Sequence, residues 1–464
     1  MFLRTFALAL LLAAPAGAQA TLDVFPRDGQ LYPRNAQNQA SVRAEGEVDQ
    51  AGWDQIVLHV YRDGALTGTE SQSLSYSGGT APFTLSYTID AGLSDWSVEL
   101  EVQGGGGAQQ VGQAEYLTCG DAYLVMGQSN AVAPDYWSEG LTNNRYRTRW
   151  VRSFGTSDTL FSRVARNKSW YLGNGEAAGG WGSIGSWPLI IGRLIADRAQ
   201  VPTAFINGAV GGRPISFFQR NDADPDDLLS AYGRALFRSE EAGIREHIRA
   251  IFWYQGESDG SYPYGYGQLF DEMMADWKED YPALERVYVV QVRRGCGVKP
   301  HSDVLEMLRR LPERHPEVEL MSTNGLPGHD GCHWLLAGYE QLALRLAPLV
   351  GRDFYGRSYA DAEVLPPNPT GAWISNTAGT EIIVEFGPPG VQLTVDPDVL
   401  PDLHLQDNID FVNAQIVNGN QLVLDLAAPT TSASIRYSGH DGQGRGWLRS
   451  VTGIGALSFA IPLL

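Results

Sequence analysis

Gly120-Asp121-Ala122-Tyr123-Leu124-Val125-Met126-Gly127-Gln128-Ser129-Asn130-Ala131 decides how this chain is read. An apolar run of strand type, Ala122 to Met126, stops at a glycine, and a serine follows between Gln128 and Asn130. A buried strand that ends in a tight Gly turn holds a serine Oγ at the sheet edge, within reach of a substrate. Such a serine is a candidate nucleophile if a base lies elsewhere in the chain. The plainer reading of the same stretch is a strand-to-helix turn with Ser129 as the helix cap.

Two further segments favour the nucleophile. Phe252-Trp253-Tyr254-Gln255-Gly256-Glu257-Ser258-Asp259 again ends an apolar strand in a polar turn. His329-Asp330-Gly331-Cys332-His333-Trp334 precedes a helical pattern, Leu335 to Leu349. The three-residue spacing of Asp330 and His333 lets the carboxylate meet Nδ1–H while Nε2 points away. An isolated Asp-x-x-His is weak, but three such blocks in order, each at the end of a predicted element, are a much stronger signal.

The chain resembles the SGNH/GDSL-type hydrolases, in the branch of sialate O-acetylesterases and related carbohydrate acetyl esterases. The residues that carry the resemblance are Gly127-Gln128-Ser129-Asn130, Gly211-Gly212, Gln255-Gly256-Glu257-Ser258-Asp259 and Asp330-Gly331-Cys332-His333. It covers about Cys119 to Arg352 and leaves the flanks unassigned. The resemblance implies Ser129 as nucleophile, His333 as general base and Asp330 as the group that orients it. The Ser129 N–H is one oxyanion donor by its turn. By resemblance one of Gly211 and Gly212 is a second, and the Gln255 amide stands where other members of the superfamily carry Asn.

Other residues of these blocks have open roles. Glu257 and Asp259 either touch substrate or hold the Gln255 turn in place, the second being preferred. Arg213 departs from the Thr or Ser common in relatives. It pairs either with a substrate carboxylate or, as preferred here, with Asp222 or another surface acid. Trp334 lines the acyl pocket or packs beneath His333. In Tyr262-Pro263-Tyr264-Gly265-Tyr266, stacking on a sugar face and core packing are equal alternatives.

Acidic residues number 53 against 34 basic, a formal net charge of −19, which disfavours binding to nucleic acid or anionic membranes. Arg4, the apolar run Phe6 to Ala14 and Ala18-Gln19-Ala20 read as a secretory signal over residues 1–20, with cleavage near Thr21. The expected location is periplasmic or extracellular, without membrane insertion. Of the three cysteines, Cys296 follows a predicted strand and Cys332 adjoins His333. Loops after parallel strands gather at one sheet edge, so Cys296 and Cys332 are expected to bond and brace the histidine loop. Cys119 precedes its strand and is expected to stay free. No zinc spacing, phosphate loop or dinucleotide fingerprint occurs, so neither metal nor cofactor is expected.

Residues 21–117 read as strands with Gly/Asp/Ser turns (Gln55 to Tyr61, Phe83 to Ile89, Trp96 to Val102), an immunoglobulin-like β-sandwich. Over residues 118–355 strands alternate with helices: 122–126, 203–206, 251–254, 286–292 and 317–322 against 187–197, 226–247, 268–277, 303–310 and 335–349. That order implies a three-layer α/β domain with a parallel sheet. Ala131 to Ser186 reads as a long irregular loop that shapes a cleft. Beyond Pro366-Pro367-Asn368-Pro369, residues 366–464 read as a second β-sandwich.

The expected function is a secreted serine esterase that removes O-acetyl groups from a carbohydrate, with sialic acid and acetylated polysaccharides both open as substrates. The alternatives are an esterase or lipase of the same fold acting on a non-carbohydrate ester, and an inactive carbohydrate-binding protein.

Overall fold

A computed structural model describes residues 20–105, 107–137, 143–176, 178–440 and 447–464. The predicted leader lies outside the described residues except for Ala20, which opens the strand Ala20–Val24. The chain divides into two compact units, one of Met1–Asp28, Ser41–Ile89 and Ser94–Leu117, the other of Gly29–Ala40, Asp90–Leu93 and Thr118–Leu464.

The first unit is built of β-strands. Ala20–Val24, Gln39–Val48 and Ala81–Asp90 form one sheet. Gln55–Arg62 pairs antiparallel with Ala65–Ser73 and with Trp96–Gly104. Period-two burial follows from alternate residues pointing to one face: Ile56, Leu58 and Val60 are buried on one strand, and Val98, Leu100 and Val102 on its neighbour. Gly104 pairs with Gly107, so the glycine tract closes a hairpin.

The second unit carries a sheet in the order Trp170–Leu172, Val151–Phe154, Thr203–Asn207, the Thr118–Gly127 part of strand Gly107–Gly127, Ile248–Tyr254, Arg286–Gln291, Val318–Ser322. Every neighbouring pair is parallel except the first, which is antiparallel. The central strands are apolar throughout because helices cover them; Ala122, Tyr123, Leu124, Val125 and Met126 are all buried. Helices Ser186–Ala199 and Leu336–Phe354 pack on each other. Helix Ala231–Glu241 is capped by Ser230 Oγ, which accepts from the Gly233 N–H, and Tyr232 Oη joins it to Asp280 of helix Tyr266–Asp280 at 2.6 Å.

The stretch expected to be one irregular loop, Ala131 to Ser186, is corrected here. It holds the strands Val151–Phe154 and Trp170–Leu172. Arg152 and Ser153 interrupt the apolar pattern yet are buried, which hides the first strand from a search for apolar runs.

C-terminal to Pro367, a four-stranded sheet (Asn368–Ile374, Glu381–Gly387, Gln421–Leu426, Phe411–Val417) and two smaller sheets surround their own apolar core. They belong to the second compact unit. The Gln291 side chain donates to Ser458 O and accepts from Ser458 N–H, both at 2.8 Å, and Asn324 Nδ2 donates to Ala456 O at 2.8 Å. These bonds fix the ends of the strands that precede the cysteine and histidine loops.

Candidate active site

The order of the parallel strands reverses at Gly107–Gly127. The chain continues to Thr203–Asn207 on one side and to Ile248–Tyr254 on the other. Ligands of open α/β sheets bind at such a switch point, outside the carboxyl ends of the strands. The loops that follow these three strands carry Ser129, Gly211 and Gln255.

Gly127 has φ +132°, and a Cβ there would lie 2.1 Å from the Tyr254 carbonyl oxygen. Only glycine permits that approach. The Gln128 N–H donates to Tyr254 O at 2.9 Å, and Gln128 Oε1 accepts from the Ser258 N–H at 3.1 Å. Ser129 then opens the short helix Ser129–Val132. On the other side, Val210 N–H donates to Gly127 O at 2.9 Å. This brings Gly211 against the serine, where a Cβ on Gly211 would meet Ser129 Cβ at 3.5 Å. Gly212 has φ +68° and makes the turn, with no atom within 4 Å of a Cβ built there.

Asn130 joins the serine block to the histidine block. Its Nδ2 donates to Glu257 Oε1 at 2.9 Å and to Cys332 O at 3.1 Å. Its Oδ1 accepts from Trp334 N–H at 3.4 Å and from Tyr339 Oη at 3.1 Å. The backbone on both sides of His333 is therefore held by the residue next to Ser129. Tyr136 makes a second link, donating from Oη to Ser129 O at 2.9 Å and stacking on the His333 ring at 4.0 Å. His333 Nδ1 lies 3.2 Å from Asp330 Oδ2, while Asp330 Oδ1 accepts the N–H groups of Cys332 and His333 at 2.6 Å each. Trp137 Nε1 also donates to Asp330 Oδ2, at 3.1 Å. Burial pushes the Asp330 carboxyl upward, but these backbone donors and the imidazole outweigh it and hold the group below its ordinary value.

Cys296 and Cys332 form a disulfide, as expected, and Cys119 is free and buried. The bridge spans 36 positions. Replacing both cysteines by alanine is expected to cost about 4 kcal/mol through loop-closure entropy, read from a denaturant midpoint. An unchanged midpoint would contradict this.

A family profile described as "Carbohydrate esterase, sialic acid-specific acetylesterase" matches residues 120–351. The chain belongs to this carbohydrate esterase family. No curated protein matches it. Among solved structures, a carbohydrate acetylesterase from Xanthomonas citri aligns at TM-score 0.65 and 17% identity, over 96% of this chain and 99% of that one, a likeness of fold. A protein from Arabidopsis thaliana aligns at TM-score 0.38 and 19% identity, over 51% of this chain and 99% of its own. A lipase/acylhydrolase from Enterococcus faecalis aligns at 0.28 and 12%, over 51% and 100%.

Several expected site residues of the esterase are buried. Gln255 is fully buried, with Nε2 3.1 Å from Arg213 O, 3.3 Å from Gln128 Oε1 and 2.5 Å from Asp259 Oδ2. Asp259 also accepts the Ile215 N–H at 3.0 Å. Glu257, Asp259 and Trp334, the possible substrate contacts, are buried, and each bonds a protein group. Trp334 Nε1 donates to Tyr254 Oη at 2.8 Å, and its ring lies under the Arg293 guanidinium. Arg213 does not pair with Asp222, which accepts from Arg220 instead. The exposed Arg213 guanidinium lies 4.6 Å from the Phe217 ring centre. In the tyrosine cluster, Tyr266 is core and donates to Gln255 O at 3.2 Å, whereas Tyr262 and Tyr264 are exposed.

Sequence reasoning missed Asn130, Tyr136, Arg293, Asn207 and Arg238. Asn207 Nδ2 donates to Ala131 O and Ile184 O, tying the serine helix to the neighbouring strand. Arg238 is buried and donates to Asn207 O at 2.7 Å and Phe154 O; burial pushes its guanidinium down to about 9. Only the Gly-Gln-Ser-Asn block gave a signal, for Asn130.

Burial raises the Glu257 carboxyl from 4.5 to about 7, against the Asn130 donor that lowers it. An acid raised in this way stays protonated in the folded chain at pH values where the unfolded chain has lost its proton. Its contribution is present below about 4.5 and is lost as pH rises through about 7. The full swing is on the order of 3 kcal/mol. Glu257→Gln is expected to flatten this slope, so that urea midpoints of variant and wild type diverge between pH 5 and pH 8 in favour of the variant. Parallel curves would contradict the assignment.

Proposed function

We propose that the protein is an exported serine esterase that removes O-acetyl groups from a carbohydrate through an acetyl-enzyme. The observation that carries this reading is the Asn130 side chain, which binds the backbone on both sides of His333 while its own backbone follows Ser129. Ser129 Oγ attacks the acetyl carbonyl carbon as His333 takes its proton. The backbone N–H groups of Ser129 and Gly211 stabilise the oxyanion, while the buried Gln255 amide, which donates to Arg213 O and Asp259, holds the turn beside them. Collapse expels the sugar oxygen, which takes the proton from His333. Water then attacks acetyl-Ser129, with His333 as base, and acetate leaves as the proton returns to Ser129. Asp330 holds the imidazole tautomer and stabilises the imidazolium.

Family membership supports the ester and the carbohydrate. Sialic acid and acetylated polysaccharide are the two substrate classes proposed. The disulfide and the leader sequence support export. No helix among the described residues is long and apolar enough to cross a membrane. The flanking strand regions, 21–117 and 366–464, are proposed to be β-sandwiches beside the α/β domain of residues 118–355.

The test is acetate release from O-acetylated sialic acid and O-acetylated plant polysaccharides, wild type against Ser129→Ala. Serine-dependent release from one class supports the reading and assigns the substrate. Release from a small aryl acetate alone overturns the carbohydrate part, and no serine-dependent release overturns the whole.

A further inference from the structure

A groove of about 890 Å³ opens beside the strand Trp170–Leu172, in the segment between the serine block and helix Ser186–Ala199. Its most exposed large apolar side chain is Trp181, at 70%. The indole is nonetheless held in place. Tyr171 stacks on it with ring centres 6.0 Å apart and planes 26° apart. Thr156 Oγ1 donates to Gly179 O at 2.9 Å, and the Gly182 N–H donates to Gly155 O at 3.1 Å, so the backbone on both sides of Trp181 is pinned. Gly182 takes φ +67°, and a Cβ there would lie 2.7 Å from Leu172 O.

Hydrogen-bond donors line the same groove. Asn167 Oδ1 is taken by Tyr171 Oη at 2.9 Å, which leaves its NH₂ to donate. Asn174 Oδ1 is taken by Asn144 Nδ2 at 3.2 Å and by Glu176 N–H at 2.9 Å, with the same consequence. Asp158 is bonded to Arg163 at 2.8 Å, so Arg166 is the positive charge of the lining that this carboxylate does not take. A solvent-facing indole in a groove lined with side-chain donors complements a pyranose, whose C–H face is apolar and whose edge is lined with oxygens.

We infer that this groove is a second saccharide subsite, apart from Ser129, which stacks one sugar ring on Trp181 and favours a ring bearing a carboxylate through Arg166. The inference rests on the carbohydrate reading of the active site and adds a place for the rest of the glycan. A loop contact joins the two regions: Glu176, two residues after Asn174, accepts the Asp135 N–H at 3.3 Å, and Asp135 precedes the Tyr136 that stacks on His333.

The experiment titrates the intact protein with deacetylated oligosaccharides, neutral and uronic-acid-containing, followed by calorimetry. Wild type is expected to bind. Trp181→Ala is expected to weaken binding by about tenfold or more, with Trp181→Phe retaining most of it. Arg166→Ala is expected to weaken only the acidic saccharide. With acetylated oligosaccharide, Trp181→Ala is expected to raise KM at constant kcat, with aryl acetate hydrolysis unchanged. No binding by wild type, or equal binding by Trp181→Ala, overturns the subsite. Binding needs no ester cleavage, so a failure of the esterase reading shows separately, as binding without serine-dependent acetate release.

Discussion

Ser129→Ala is expected to lower kcat for acetyl ester hydrolysis by at least about 10⁴-fold while the unfolding free energy from urea titration stays within about 0.5 kcal/mol of wild type. The size follows from the chemistry. Without Oγ no acetyl-enzyme forms, and what remains is water attack assisted by His333 and the oxyanion donors. The fold is spared because the turn at Ser129 is built by Gly127, Gln128 and Asn130 through backbone and amide bonds. His333→Ala is expected to cost about as much, and the double variant little more than either single one, because the two groups act as a unit. A single-turnover assay with an aryl acetate measures all three. Residual activity within tenfold of wild type in Ser129→Ala would remove the nucleophile.

Gly127→Ala is expected to be the most damaging substitution for stability, at about 4 kcal/mol or more, or to yield no soluble protein. Its φ of +132° is closed to L side chains. The added methyl would also meet the Tyr254 carbonyl oxygen at 2.1 Å, the carbonyl carbon at 2.6 Å and the nitrogen at 3.0 Å. Those atoms belong to the neighbouring strand of a close-packed sheet and have nowhere to go. Two other glycines of the site set the scale. Gly212→Ala bears only the strain of φ +68° and is expected to cost about 1 kcal/mol. Gly211→Ala makes an ordinary 3.5 Å contact with Ser129 Cβ and is expected to fold like wild type. Denaturant midpoints in the order Gly211→Ala, Gly212→Ala, Gly127→Ala, from highest to lowest, are the result expected. A wild-type midpoint for Gly127→Ala would contradict the turn geometry.

The strands of the parallel sheet were legible where an apolar run ended in glycine or a polar turn, as at Met126-Gly127 and Tyr254-Gln255. Val151–Phe154 was not, because its buried Arg152 and Ser153 break the pattern. The Cys296–Cys332 pairing was readable from topology, since both cysteines follow strands of one sheet. The roles of Asn130 and Glu257 were not, because the bond that joins them crosses 127 positions. Arg213 was misread for a related reason. Its expected acid, Asp222, lies beside Arg220, which also gathers Asp276, Glu279 and Asp280 from a distant helix. Local spacing gives an Asp-x-x-His, but partners drawn from far along the chain need the fold.

The most direct test of the central claim is to label the protein with a fluorophosphonate and map the modified peptide by mass spectrometry. One adduct is expected, on Ser129, formed at least about 100-fold more slowly in His333→Ala, since the phosphonate captures only a serine whose proton a base removes. A label on another serine, or labelling of Ser129 that is unaffected by loss of His333, would contradict it.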